Sequence, residues 1–211
     1  MNEEVAPFSA EAYRGFSLLA GTCAAALVNE PTAGIVKGVQ RVAEATGDPR
    51  FNGVRANEAL LQRYYDRIFV SSSPLFVPLS ESCVRASWDD GGTIRYGVAS
   101  SRWSDHVLGC YRAVGFDWTA LGGFEPAMRQ LRPDSLASEL AFLSFLAASA
   151  ASLPASDAAA SRRSEELLVQ FARQHAGAWF GAAADALRRT DDDFYAGVCA
   201  LAAKAVDVLA A

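Results

Sequence analysis

Residues 64–82, YYDRIFVSSSPLFVPLSES, end one helical pattern and prevent the next from starting at once. Pro74 and Pro78 each fix φ, lack an amide N–H and disfavour a helical residue before them. Serines 71–73 compete upstream for backbone hydrogen bonds. Apolar side chains nevertheless lie among the prolines, namely Leu75, Phe76, Val77 and Leu79. The stretch is predicted to be an extended apolar connector. It either packs between helices or offers an apolar face to a partner. The residues alone favour the packed loop, because apolar side chains are usually part of the core.

Helical periodicity dominates the chain on both sides of this connector. Apolar residues recur three and four positions apart in the stretches that we predict as helices, about 9–28, 32–46, 56–70, 81–88, 101–115, 124–131, 136–152, 162–189 and 192–209. Ser9, Thr32 and Ser101 are of the type that caps helix N-termini. A bend in the long helix 162–189 is predicted near Gly177 and Gly181.

The most apolar of these helices, residues 136–152, is expected at the centre of the core. Its apolar side chains cover much of the helix circumference, which is typical of a buried helix. Asp134 or Ser135 is predicted to cap its N-terminus. Residues 153–161, LPASDAAAS, are predicted to be a flexible linker. Such a linker would serve as a hinge if protomers exchanged their C-terminal helices, so a monomer and a domain-swapped dimer both stay open.

Only one segment is strand-like. Residues 89–92, Asp-Asp-Gly-Gly, predict a turn, and residues 93–98 are the strand-like stretch that follows. The sequence has neither β-α-β alternation nor an internal repeat. The chain is therefore predicted to be all-α. It forms one domain over residues 1–211, an irregular helical bundle with a proline-rich apolar connector.

Composition restricts the functions that such a bundle can have. Hydrophobic residues make up 51% of the 211 residues, enough for one well-filled core. The net charge of −5 disfavours nucleic-acid binding and favours the approach of a basic peptide. The scattered cysteines indicate a reducing compartment instead of a disulfide framework; they are Cys23, Cys83, Cys110 and Cys199. The acidic N-terminus and the lack of a long apolar run predict a soluble cytoplasmic protein without membrane insertion.

Two histidine-containing pairs are the candidates for chemistry. His106 and Cys110 lie four residues apart on one predicted helix, as do His175 and Trp179. A structural zinc site needs four ligands and the spacing offers no second pair, so no metal site is predicted. Signatures of hydrolase nucleophiles and phosphate-binding loops do not occur. No catalytic set therefore emerges from these residues, and no cofactor is predicted. An enzyme that uses His106 or His175 stays open as an alternative.

Two blocks of sequence surround the connector and the apolar helix. The first reads YDRIFV at residues 65–70 and continues with Pro74, Pro78, Glu81 and Ser82. The second reads LRPDSLASELAFL at residues 131–143. They resemble the patterns Y-x-x-L-F-x-G-P…P-x-x-P-x-E-S and L-P-D-H-L-x-x-E-L-x-F-L of the TorD/DmsD/NarJ family.

Two further blocks extend this resemblance. Residues 106–117, HVLGCYRAVGFD, are similar to a family helix that ends in Tyr, three residues, Gly and an apolar residue. The closing family pattern F-x-x-x-H-L-x-x-W…F-Y resembles the set Phe171, His175, Trp179, Phe194 and Tyr195. The blocks follow the family order over about residues 64–201. The first sixty residues match only in being helical.

The resemblance implies a function. The family consists of cytoplasmic chaperones for the maturation of molybdenum-cofactor oxidoreductases. The resemblance implies that this chain binds the N-terminal segment of the catalytic subunit of a molybdopterin-dependent oxidoreductase. That segment would be a twin-arginine signal or a related sequence. The chaperone then holds the apo-enzyme until its cofactor is inserted. Two departures leave the choice of ligand open, since Ser135 replaces the family histidine and residues 72–74, Ser-Ser-Pro, replace Gly-Pro.

The chemistry of such a signal defines the expected site. Its apolar, helix-prone body would lie in an apolar groove, and carboxylates would pair with its arginines. The expected peptide-binding residues are Tyr65, Phe69, Pro74, Leu75, Phe76, Pro78, Leu79, Glu81, Ser82, Trp88, Asp134, Ser135 and Glu139. The remaining alternative is a helical protein-binding or regulatory module whose partner carries no export signal.

Overall fold

The computed structural model describes residues 8–99, 102–152 and 158–211. Helices dominate these residues, which confirms the all-α prediction. Their bounds are α1 Ala10–Val28, α2 Ala33–Ala45, α3 Glu58–Ile68, α4 Glu81–Arg85, α5 Arg102–Val114, α6 Glu125–Gln130, α7 Leu136–Ser152, α8 Ala158–Phe171, α9 Gly177–Thr190 and α10 Phe194–Ala210. A hairpin of β1 (Trp88–Asp90) and β2 (Thr93–Arg95) joins α4 to α5. Within the described ranges, no helix is both long and apolar enough to cross a bilayer.

Side-chain caps fix several helix starts. The Ser9 hydroxyl accepts a hydrogen bond from the amide of Ala12, and Thr32 accepts one from Ile35. Both caps were predicted, whereas the predicted cap Ser101 lies outside the described residues. At the last helix, the Asp193 carboxylate accepts from two amides of the first turn of α10. These acceptors satisfy amide groups that a helix N-terminus leaves without intrahelical partners.

The core is centred on α7, as its composition predicted. Its buried side chains point in several directions around the axis, and they include Leu136, Leu140, Phe142, Leu143 and Leu146. α1 packs along α7, and α9 packs against α10. Ser17 and Ser144 tie α1 to α7, because each hydroxyl donates to the other residue's carbonyl at 2.9 and 2.8 Å. Small residues at this contact let the two helices approach closely.

The connector forms turns over residues 71–75 and is extended over residues 76–79, where it is fixed to the start of α7. The amide of Glu81 donates to the carbonyl of Asp134 at 2.8 Å, and the amide of Leu136 donates to the carbonyl of Leu79 at 3.0 Å. These two bonds form an isolated antiparallel bridge. Val77 is buried, while Phe76 and its other apolar neighbours are only partly covered. The connector therefore packs against helices on one side and keeps apolar surface on the other.

The structure corrects two local predictions, on the turn at residues 89–92 and the linker at residues 153–161, and narrows two others, on the bend near Gly177 and the cap of α7. Asp89 and Asp90 belong to strand β1, and only Gly91 and Gly92 form the turn, where φ values of 61° and 91° require a left-handed backbone that glycine tolerates. Residues 153–157 of the predicted linker lie outside the described residues, and residues 158–161 already belong to α8.

The predicted bend is a π-helical turn, Ala172–Ala176, directly before Gly177. Gly181 lies inside the unbroken helix α9. At the start of α7, the Ser135 hydroxyl caps the helix by accepting from the amide of Ser138. Asp134 is not the cap, because its carboxylate is turned to Ser82.

Candidate functional site

An apolar cavity of about 280 Å³ lies between the connector and the helices that support it. The connector contributes Phe76, Pro78 and Leu79. Helices α1, α6 and α7 and their flanks contribute further apolar side chains, namely Leu27, Val28, Ala127, Leu131, Leu136 and Ala137. The polar members include Arg132 and Ser135. This cavity, called the connector groove below, exists because the prolines hold the chain extended while the bridge to α7 fixes its distance from the core.

The structure brings some of the expected site residues to this groove and separates others from it. Phe76, Pro78, Leu79 and Ser135 line the groove. Pro74 is exposed at the beginning of the connector, and the carbonyl of Leu75 is used by the buried guanidinium of Arg67. Trp88 is 55% exposed on the hairpin.

Tyr65 and Phe69 belong to an aromatic cluster beside the groove. Their rings lie 5.9 Å apart between centroids, and the ring of Phe124 lies 6.0 Å from Phe69. The Tyr65 hydroxyl donates to the carboxylate of Glu30 on the chain between α1 and α2. Tyr65 and Phe69 therefore pack against neighbouring aromatic rings of the protein, and neither residue lines the groove.

The three expected arginine-binding carboxylates, Glu81, Asp134 and Glu139, are all fully buried. Oδ2 of Asp134 accepts from the amide of Ser82 at 3.1 Å and from the Ser82 hydroxyl. Oδ1 of Asp134 has no hydrogen-bond partner within the described ranges, and Nε of Arg132 lies 3.7 Å away. Asp134 therefore has one oxygen that forms a long ion pair with Arg132 and, among the described residues, accepts no hydrogen bond.

The carboxyl of Glu139 is buried beside a tryptophan and a second acid. Its Oε2 accepts from the indole N–H of Trp179 at 2.9 Å. Burial raises the pKa of the Glu139 carboxyl well above its usual value, and the nearby Glu81 carboxylate raises it further. The neutral acid is thereby favoured, which removes the cost of burying an unpaired charge.

Glu81 belongs to a second polar arrangement that includes both histidines. Its Oε1 accepts from Arg85 at 2.7 Å, and its Oε2 contacts Nδ1 of His175 at 2.7 Å. Nε2 of His175 lies 2.6 Å from Nδ1 of His106 on α5. Cys110, one turn further along α5, completes a group whose potential ligand atoms lie within 4.8 Å of one another.

Sequence spacing could not reveal this group. His106 and His175 are separated by 69 residues, and only the packing of α5 against the π-helical turn brings their rings together. The enzyme alternative required a histidine beside a carboxylate in a pocket. The His175–Glu81 contact supplies the carboxylate, but both residues are buried and neither lines the neighbouring cavity. A cavity of about 370 Å³ adjoins His106 and Cys110.

Comparison with known proteins identifies the family. A family model described as nitrate reductase delta subunit matches residues 32–185, well over half of the chain. No curated protein and no solved structure matched the chain. Members of this TorD-like family are cytoplasmic chaperones of redox-enzyme maturation and not enzymes. Membership indicates a chaperone role in molybdoenzyme maturation, and the family works with nitrate reductase-type molybdoenzymes. The chain therefore belongs to the nitrate reductase delta subunit family, as its four sequence blocks had indicated.

Proposed function

We propose that this protein is a cytoplasmic chaperone that binds the N-terminal segment of a molybdopterin oxidoreductase catalytic subunit in the connector groove. That segment is a twin-arginine signal or a related sequence, and its binding keeps the apo-enzyme from being exported before the cofactor is inserted. The observation that carries the proposal is the apolar groove lined by Phe76, Pro78 and Leu79. Family membership supplies the class of partner.

The apolar lining of the groove defines what it takes from a signal peptide. Phe76, Pro78 and Leu79 face apolar side chains of α1, α6 and α7 across the cavity. The groove therefore accepts the apolar side chains of one helix face, in the manner of helix-in-groove recognition. Pro74 and Pro78 limit the conformations of the free connector, so less conformational entropy is lost when the peptide binds.

Asp134 is the carboxylate best suited to the arginines of the signal. It lies between Arg132 and Ser135, which both line the groove, and its Oδ1 has no hydrogen-bond partner among the described residues. Arg132, whose side chain is 41% exposed, leaves room for a rearrangement in which an incoming guanidinium takes the position nearest this oxygen. Glu81 and Glu139 have stronger internal partners, so we assign them a supporting role. The net charge of −5 favours the approach of the basic end.

Binding to an identified client tests the proposal. The tagged protein is purified from its source cells, and bound chains are identified by mass spectrometry, with full-length and N-terminally truncated forms of the recovered subunit compared. A synthetic peptide of the client N-terminus is then titrated by fluorescence anisotropy. Leu79→Asp is expected to weaken peptide binding about tenfold or more, because it sets a charge in the apolar groove.

Val208→Asp is the matched control, because Val208 is 59% exposed and does not line the groove. It is expected to bind the peptide like the wild type, and thermal melting checks that both variants fold. Equal affinities of Leu79→Asp and wild type would contradict the groove assignment. Undiminished recovery of the truncated client would support the alternative of a binding module that does not recognise the N-terminal segment.

A further inference from the structure

The cluster formed by His106, Cys110 and His175 is built from two separate parts of the chain. His106 and Cys110 share one face of α5, and His175 comes from the π-helical turn between α8 and α9. Their nitrogen and sulfur atoms lie within 4.8 Å of one another. π-Helical turns within α-helices are frequent at functional sites, since the extra residue redirects side chains.

A carboxylate behind His175 orients its ring. Glu81, fully buried, contacts Nδ1 of His175 at 2.7 Å, while His175 itself is 1% exposed. The ring also stacks on Phe171, with centroids 4.7 Å apart. Nδ1 is thereby committed to Glu81, and Nε2 points at His106. A carboxylate that holds the distal nitrogen of an imidazole is the usual second partner of a metal-binding histidine.

We propose that His106 Nδ1, Cys110 Sγ and His175 Nε2 bind a single zinc-type divalent transition-metal ion. Two imidazoles and a thiolate are the donors that such ions prefer over magnesium or calcium. The 2.6 Å contact between the two ring nitrogens accommodates a shared proton in the metal-free protein. When the ion binds, that proton moves to Nε2 of His106, and the Cys110 thiol releases its proton to solvent.

The geometry requires only a small adjustment. Zinc–nitrogen bonds of about 2.0–2.1 Å at a tetrahedral angle separate two ligand nitrogens by roughly 3.3–3.4 Å. The rings must therefore move apart by less than about 1 Å from their present contact. His106 can make this movement because it is exposed on α5, whereas His175 is held by Glu81 and Phe171. The adjoining cavity, bounded also by Gln170 and Gln174, leaves a fourth position for water.

Cobalt spectroscopy tests the site directly. The full-length protein, reduced and stripped of metal with a chelator, is titrated with Co²⁺ and then with Zn²⁺. We expect one equivalent of Co²⁺ to produce a thiolate-to-cobalt charge-transfer band and the strong visible bands of a tetrahedral complex, and Zn²⁺ to remove both. The charge-transfer band is expected to disappear in Cys110→Ser, although Cys23, Cys83 and Cys199 remain.

Further variants separate a metal site from a structural cluster. His106→Ala is expected to lose the tetrahedral spectrum without loss of folding, because the residue is exposed. Arg112→Ala, an exposed change on the same helix, is expected to keep it. Glu81→Gln is expected to weaken Zn²⁺ binding about 10- to 100-fold, as for other groups that orient a metal ligand.

Absence of a charge-transfer band, or an unchanged spectrum in both Cys110→Ser and His106→Ala, would overturn the metal proposal. Circular dichroism and thermal melting of each variant separate loss of ligand from loss of fold. None of these ligands lines the connector groove, so failure of the metal site leaves the peptide proposal standing.

Discussion

Arg67 joins three segments of the chain from a position with no exposure to solvent. Its Nε donates to Asp193 at 2.9 Å, and its other nitrogens donate to the hydroxyl of Thr190 and to the carbonyls of Leu75 and Asp191. The planar guanidinium thus connects α3, the connector and the turn between α9 and α10. A buried charge is tolerated here because each side of the guanidinium meets an acceptor.

Replacement of this residue is expected to destabilise the whole fold. Arg67→Met should lower the free energy of unfolding by about 3–5 kcal/mol, because it removes the buried donor to Asp193 Oδ2, to the Thr190 hydroxyl and to the carbonyls of Leu75 and Asp191. Arg67→Lys should recover little of this loss, since an ammonium group cannot reach the same set of acceptors.

Chemical denaturation measures both variants of Arg67. Arg63→Met is the control, because Arg63 pairs with Asp191 at 2.6 Å at the partly exposed end of the same cluster. An ion pair of that kind contributes only about 0–1 kcal/mol. Equal losses for Arg67→Met and Arg63→Met would refute a central role for the buried guanidinium.

The Glu139 carboxyl is expected to make stability depend on pH. Its pKa is raised in the folded protein by burial, and in the unfolded chain it lies near the ordinary value of about 4.3. The contribution of the neutral Glu139 side chain to the free energy of unfolding is therefore fully present below about pH 4.3. It is lost as pH rises through the pKa of the folded state. The ionisable or polar groups that surround Glu139 on neighbouring elements are Glu81, Asp134, Cys110, Tyr111 and Trp179.

Glu139→Gln should reduce this pH dependence, because an amide does not ionise. Melting temperatures at several pH values between 5 and 9 measure the effect, and the wild type should lose more stability toward the alkaline end than the variant. Exposed Glu125→Gln on α6 should leave the profile unchanged. A profile that is as steep in Glu139→Gln as in the wild type would rule out this carboxyl as its source.

At the scale of elements, the π-helical turn is the feature that the candidate metal site depends on. The amide of Gly177 donates to the carbonyl of Ala172, five residues earlier, instead of continuing the regular α-helical pattern. A Cβ atom at position 177 would lie 2.9 Å from that carbonyl oxygen. Glycine therefore permits the wide turn that directs His175 toward α4 and α5.

Two glycines in this region provide a matched comparison. Gly177→Ala should destabilise the protein by about 1–3 kcal/mol, because the new methyl group is forced against backbone. Gly181→Ala, four residues later in α9, meets no atom within 4 Å and should stabilise the helix by about 0.5–1 kcal/mol. Thermal melting decides the comparison, and effects of the same sign for both changes would contradict the packing argument.

At the scale of the whole molecule, the short helix α4 takes part in both candidate sites. Cys83 of α4 and Ser80, which directly precedes this helix, line the connector groove. Glu81, the first residue of α4, contacts His175 of the candidate metal site. The residues proposed to bind peptide and metal are nevertheless different. Leu79→Asp and Cys110→Ser therefore test the two proposals separately in the same folded protein.

The amino-acid sequence by itself determined the helical class, most helix starts, the central position of α7 and the family. These features depend on local patterns, since helical periodicity, caps and proline geometry act over a few neighbouring residues. Ser9 and Thr32 were recognised for this reason. The sequence also identified the apolar connector as the candidate binding element, and three of its predicted residues line the observed groove.

Only the tertiary structure decided which polar residues are exposed and which meet. The sequence suggested that three carboxylates lie at a surface binding site, namely Glu81, Asp134 and Glu139. Packing buries all three. His106 and His175 come together across 69 residues, and Cys110 joins them only because α5 faces the π-helical turn. Burial and side-chain contact are set by how distant elements pack, and a periodicity read along the chain carries no information about those distances.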